Sequence, residues 1–291
     1  MVSVSGVSKS IQEVHVARAT MTDAPFTSDL LLTSDGTSQN HILKIRLGLC
    51  LQKITTPPNT FNDFGGNAFN IRNWTDLEWY NFRDAVFAQS EHWNNKFWLI
   101  PPANYSELDW PWRGQKTHRP NVKCVLFLQI WLNPGNANKT IRVAHLADSY
   151  VGDSTTFRSD AVTYDSLDSV AHTFQIPDNG GNTLNIVHYT IPHEIGHALG
   201  QPHIGVLRQT AACTAAIAGA TPGDNTTVGG ANSHRCYGWG EPPSIAENIM
   251  GYGLRYDDVN AAPWRDRLAL HTNTRAQDWR VSLVDVAPRR L

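Results

Sequence analysis

The chain has 291 residues, 41% of them hydrophobic, with ten Trp, eight Tyr and ten Phe, which is enough for a sizeable core and argues against disorder. The formal net charge is −2, and no half is strongly basic, which argues against a nucleic-acid partner or an acidic membrane surface. No stretch reaches the roughly 18 consecutive apolar residues of a membrane span. The start, MVSVSGVSKS, lacks the charged and then apolar order of a signal peptide. The expectation is a soluble chain, secreted or delivered by a route without a cleaved signal rather than resident in the cytosol.

Residues 1–39 read as an N-terminal extension. HILKIRLGLCLQKI (41–54) alternates apolar and polar residues and predicts a strand, ended by Pro57-Pro58. WTDLEWYNFRDAVFAQSEHW (74–93) predicts a helix with Leu77, Tyr80, Phe82, Val86 and Phe87 as its apolar positions, Thr75 as N-cap and Glu78 completing a capping box. The stretch 98–114 is too rich in Pro and Trp for regular structure; it reads as a packed loop, or as a carbohydrate-stacking surface. VKCVLFLQIWL (122–132) predicts a central strand, broken by Asn133-Pro134-Gly135, and TIRVAHLA (140–147) another. AHTFQI (171–176) is a short strand candidate before the Asp178-Asn179-Gly180-Gly181 turn, and 183–200 reads as a helix. Residues 201–247 read as loop, and 263–281 as a closing helix with Pro near its start. Together these predict one α/β (α+β) domain, with an upper half of about 40–200 and a lower half of about 201–285. Of four cysteines, Cys50 and Cys124 read as buried thiols, and Cys213 and Cys236 could be bridged; no CxxC pair offers a cysteine metal site.

The chemistry concentrates in HEIGHALGQPH, residues 193–203. Two histidines four apart on a helix differ by only about 40° around its axis, so His193 and His197 can reach one metal. Gly200 can end the helix with a positive φ, and the turn would bring His203 back to the same ion. Three neutral imidazoles with one open position fit a catalytic Zn²⁺ site. Glu194 is placed to accept a proton from a water activated there. Pro192 conflicts with a helix running through it: the helix is either kinked or starts near Thr190.

Farther on stands NIMGYG (248–253), where glycines flank Tyr252 and suggest a tight turn of unusual backbone angles. In HEIGHALGQPH followed by this methionine, the sequence resembles the metzincin clan of zinc metallopeptidases, whose signature is H-E-x-x-H-x-x-G-x-x-H and a later methionine turn. The resemblance implies a twisted mixed sheet with a backing helix and an active-site helix. A loop-rich lower half with the methionine turn and a C-terminal helix follows. It implies His193, His197 and His203 as metal ligands, Glu194 as general base, and Met250 as an apolar floor under the metal. The Met-x-Tyr order is similar to serralysins and astacins, where the tyrosine can approach the metal; Tyr252 is then a candidate donor to the oxyanion. Ile204 after the third histidine, and the absence of GGxGxD repeats and of a PRCGxPD-like switch, set the chain apart as a divergent subfamily with a long insert at 204–249.

The activity so implied is zinc-dependent endopeptidase chemistry on a protein or peptide substrate. The substrate would lie along an edge strand from the segment between 140 and 176, with the 204–249 insert shaping one side of the cleft. Two other readings are a delivered effector with one narrow protein target and a non-catalytic component on the same scaffold; Glu194 speaks against the second. His188, His234 and His271 read as ordinary polar residues or as groups around the site. Asp224-Asn225 could join a Ca²⁺ site but fits no regular loop. Asn73, Asn104, Asn138 and Asn225 each begin an N-x-Ser/Thr sequon.

Overall fold

The alternation in 41–54 becomes the strand His41–Lys53, whose Leu43, Ile45, Leu47 and Leu49 are fully buried. In this computed structural model the described residues are 14–15, 26–32, 40–105, 108–112, 116–147, 157–220, 230–284 and 289–290. His41–Lys53 pairs in parallel along its length with Val122–Trp131. Its other edge is shared. Thr27–Leu32 runs antiparallel along its first half, and Lys139–Leu146 pairs in parallel with its last residues. Part of the expected extension 1–39 is therefore a strand of this sheet. Short strands extend it at both ends: Trp98–Ile100 and Arg280–Ser282 beyond Val122–Trp131, and Ala68–Arg72 and Thr60–Asn62 beyond Lys139–Leu146. The result is a mixed α/β architecture with several helices.

Helix Asp76–Ser90 starts as the sequence predicts, with the Thr75–Glu78 capping box formed. Its inner face differs from the expectation. Phe82, Val86 and Ser90 are buried, while Leu77, Tyr80 and Phe87 are exposed. The helix touches the sheet through a narrow stripe about two turns long, so apolar residues only slightly off that stripe face outward.

The reading of 183–200 as one helix is corrected. Thr183–His188 is a strand, paired antiparallel with His172–Pro177, and the helix is Thr190–Ala198. Ile186 and His188 are buried and Val187 is exposed, the period of a strand. The helix starts at Thr190, so Pro192 lies in the first turn, where its missing N–H has no intrahelical partner to lose. Residues 201–247 are not all loop: Ile204–Leu207, Ala211–Ala218, His234–Tyr237 and Pro243–Ala246 are short helices. The bridge Cys213–Cys236 is formed, whereas Cys50 and Cys124 are free and buried. The closing helix ends earlier than expected. Ala262–Thr272 stops at Asn273, which takes a left-handed φ of 54°, and Arg280–Ser282 returns to the sheet. Within 98–114, Trp98–Ile100 and Trp110–Trp112 are short strands rather than loop. Asp224-Asn225 and most of 1–39 lie outside the described residues. Among the described residues, no helix is long and apolar enough to cross a membrane.

Candidate metal centre

His193 and His197 lie one turn apart on Thr190–Ala198, with ring centroids 4.8 Å apart. The helix ends in a Schellman turn. Gly200 has φ 86°, its N–H donates to His197 O (2.9 Å), and Gln201 N–H donates to Gly196 O (3.0 Å). That reversal carries His203 back, to 4.6 Å from the His197 ring and 5.4 Å from His193. The Nδ1 atoms all meet backbone carbonyls: His193 to Ile249 O (2.9 Å), His197 to Gln201 O (2.6 Å) and His203 to Ala231 O (2.7 Å). A carbonyl only accepts, so each Nδ1 carries the hydrogen and each Nε2 is left with a bare lone pair.

Those lone pairs converge. One ligand atom from each of the three histidines lies within 4.8 Å of the others. His197 Nε2 and His203 Nε2 stand 3.1 Å apart, and His193 Nε2 is buried with no hydrogen-bond partner. Two acceptors facing each other so closely repel unless a cation lies between them. Two nitrogens at ~2.0–2.1 Å from a tetrahedral ion stand roughly 3.3 Å apart, so the donor set fits such an ion. Burial first, then the neighbouring histidines, holds His193 and His203 well below the ordinary imidazole pKa, and burial lowers His197 to about 4. All three are thus neutral, the form that binds metal.

Glu194 points into the same cavity, 4% exposed, and its Oε2 has no hydrogen-bond partner. Burial, then the charges of Asp160 and Asp168, pushes its pKa well up. Among the described residues, Oε2 has no hydrogen-bonded tether that would have to break before it could take a proton.

Met250 is fully buried beneath the helix. Gly196 leaves the space: a Cβ there would lie 2.2 Å from Met250 Sδ and 2.9 Å from a Trp93 ring carbon. Trp93, in turn, donates its indole N–H to Pro192 O (2.8 Å) in the first turn of the helix. The turn carrying Met250 touches this region through its backbone too, since Ile249 O holds His193 and Met250 O accepts from Ile204 N (2.8 Å). Asn248, Asn260 and Gln201 form a buried amide network that fixes this turn against the one after Gly200. The glycines of NIMGYG serve another purpose than unusual angles. Neither has a positive φ; a Cβ on Gly253 would lie 2.2 Å from Glu247 O, and one on Gly251 2.6 Å from Tyr237 O. Close backbone approach excludes side chains there.

The Tyr252 hydroxyl shares a 2.7 Å hydrogen bond with His234 Nδ1, and its ring lies 5.6 Å from Phe174. His188 Nδ1 donates to Tyr252 O (3.3 Å) and its ring faces His193 at 5.4 Å. The structure thus gathers His188 and His234 around the centre; His271 lies away from it, hydrogen-bonded to Ser28. Sequence reasoning missed Tyr237, whose ring lies 3.8 Å from His203, tilted by 33°, and stacks near parallel to His193 at 5.4 Å. Its helix is held by the Cys213–Cys236 bridge next door, and no local pattern announces it. The cavity over these residues has a volume of about 1000 Å³ and is also bordered by Phe174, Arg158 and Asp168.

No family model matches this chain, and neither a curated protein nor a solved structure matches it.

Proposed function

We propose that this protein is a zinc-dependent endopeptidase of metzincin type, with the whole chain serving as one catalytic domain whose upper and lower halves meet at the site. The observation that carries the reading is the convergence of three bare Nε2 atoms beside the buried Glu194, whose Oε2 has no hydrogen-bond partner. A structural metal site is closed by its ligands, whereas this one has three donors and an open cavity on its fourth side.

When bound, a dication supplies charge that polarises a carbonyl, activates a water and favours the ionised form of Glu194. Glu194 accepts the proton of the attacking water and then passes it to the leaving amine. Tyr252 donates to the developing oxyanion once it exchanges its bond to His234. The peptide lies along His172–Pro177, which pairs on one side with Thr183–His188 and borders the cavity through Thr173, Phe174 and Gln175; among the described residues no strand pairs with its other side. The insert 204–249 forms the facing wall through Asn232, His234 and Tyr237.

The test is zinc-loaded protein on unfolded casein, wild type beside Glu194→Gln. Glu194→Gln should lose activity by about 10²- to 10⁴-fold, the scale of a general base, while zinc content and unfolding midpoint stay close to wild type. Undiminished activity in the variant sinks the mechanism.

A further inference from the structure

Arg158 is the one lysine or arginine among the described residues that border the cavity. Its backbone is pinned on both sides: its N–H donates to Asp63 Oδ2 (3.2 Å), and its carbonyl accepts from Phe64 N (3.2 Å). Its side chain lies along the backbone of Gly65, where a Cβ would stand 2.9 Å from Nη1 and 3.1 Å from Cδ. The guanidinium is therefore placed by the turn at 63–67 rather than left to swing. Among the described residues no carboxylate forms an ion pair with it. Asp63, the nearest acid on that turn, accepts from the N–H groups of Arg158 and Asn67.

The segment 158–160 brings one cation and one carboxylate, Arg158 and Asp160, to the edge of the same cavity. Burial and then Arg158 lower His234. Arg158 borders a cavity whose wall also carries His234 and Tyr237. A fixed guanidinium with free donors in a concave site is built to take a carboxylate in a charge-assisted, two-pronged hydrogen bond.

Resting on the peptidase reading above, we infer that Arg158 is a specificity residue that anchors a substrate carboxylate, and that the enzyme prefers acidic peptides. The carboxylate comes either from a Glu or Asp side chain near the scissile bond or from the end of the peptide chain. A free terminus would make the preferred cut lie close to the C-terminus.

The experiment has two arms, both on full-length zinc-loaded protein. In the first, wild type cleaves end-blocked neutral peptides in which a single Glu or Gln is moved along the sequence, and one further peptide carries a free terminal carboxylate. In the second, Glu194→Gln protein, disabled in chemistry, binds the same peptides in fluorescence anisotropy. One Glu position, or the free terminus, should raise kcat/KM and tighten Kd by about 10- to 100-fold over its neutral counterpart, the scale of a hydrogen bond to a charged group. Arg158→Gln should bring that ratio toward one, and Arg158→Glu should turn the preference toward a Lys at the same position. Cleavage with no discrimination between Glu and Gln overturns the inference and leaves the peptidase reading standing. Carboxylate-dependent binding that Arg158→Gln abolishes, with no cleavage by wild type, supports the anchor and overturns the peptidase reading. A carboxylate preference that survives both Arg158 variants overturns the role of this residue, and peptides neither bound nor cut overturn both.

Discussion

Gly196→Ala places one methyl group where the structure has none to spare. That carbon would stand 2.2 Å from the Met250 sulfur, 2.9 Å from a Trp93 ring carbon and 3.1 Å from the Met250 methyl. Favourable contact begins near ~3.5 Å, so the sulfur must retreat by roughly 1 Å in a fully buried layer. Trp93 cannot give way easily, being fully buried and tied through its indole N–H to Pro192 O. On an open helix the change would stabilise by about 1 kcal/mol. Overpacking costs about 1–3 kcal/mol, and with both neighbours confined the upper end applies, for a net loss of about 2 kcal/mol. Met250→Ala alone costs about 2–5 kcal/mol. With Met250 already truncated, the new methyl enters vacated space, and Gly196→Ala should be neutral or mildly stabilising. The two changes should therefore couple by about 2–3 kcal/mol, with the double variant more stable than the sum of the singles implies. Urea unfolding of wild type, both singles and the double, all metal-free, measures this as a thermodynamic cycle. Additivity within about 0.5 kcal/mol would refute the contact between the site helix and the methionine. Gly196→Ala should also weaken zinc binding, because moving Met250 moves Ile249 O off His193 and Met250 O off Ile204.

Metal analysis of protein purified from zinc-supplemented culture should find one zinc per chain, removable by 1,10-phenanthroline with loss of activity; under half an equivalent, with activity indifferent to the chelator, contradicts a catalytic zinc site. Tyr252→Phe should lower kcat by up to about 10²- to 10³-fold with little change in KM, and wild-type kinetics in this variant would remove Tyr252 from the mechanism. Burial raises Asp168 from 3.8 to about 6. Such a carboxylate contributes stability that is whole below the unfolded pKa near 4 and lost as pH rises through the folded value near 6. Asp168→Asn should therefore gain on wild type between pH 4 and pH 6, by an amount on the order of 2 kcal/mol, and denaturant midpoints that shift in parallel for both proteins over that range rule it out.

The parts of the site that sequence displays are those written in side chains at helical spacing. His193, His197 and the reversing Gly200 are adjacent in sequence, and the imidazole geometry follows from the turn they share. The Thr75–Glu78 cap is equally local. The acceptors that orient the rings are main-chain oxygens of Gln201, Ala231 and Ile249, and a backbone carbonyl has no letter. Tyr237 and Arg158 reach the cavity from distant segments, so neither stands out in a linear reading. The strand Thr183–His188 was hidden for a different reason. It runs into Thr190–Ala198 with a single residue between, and its apolar residues continue smoothly into the helical pattern. The short helices at 204–207 and 211–218 sit in an Ala- and Gly-rich stretch whose packing against the Cys213–Cys236 bridge, rather than its own periodicity, gives it shape.

The positions of those carbonyls also set an order of assembly. A ribosome completes His193, His197 and His203 before it adds Ala231 and Ile249, which hold two of the three rings in their metal-binding tautomer. Until then the growing chain has three histidines and no organised centre. Organising the three rings must wait until residues 231–249 have been added and the turn carrying Met250 folds under the helix. On the proposed peptidase activity, the chain would gain the ability to cut unfolded peptide only after its own segments through Ile249 had left that state.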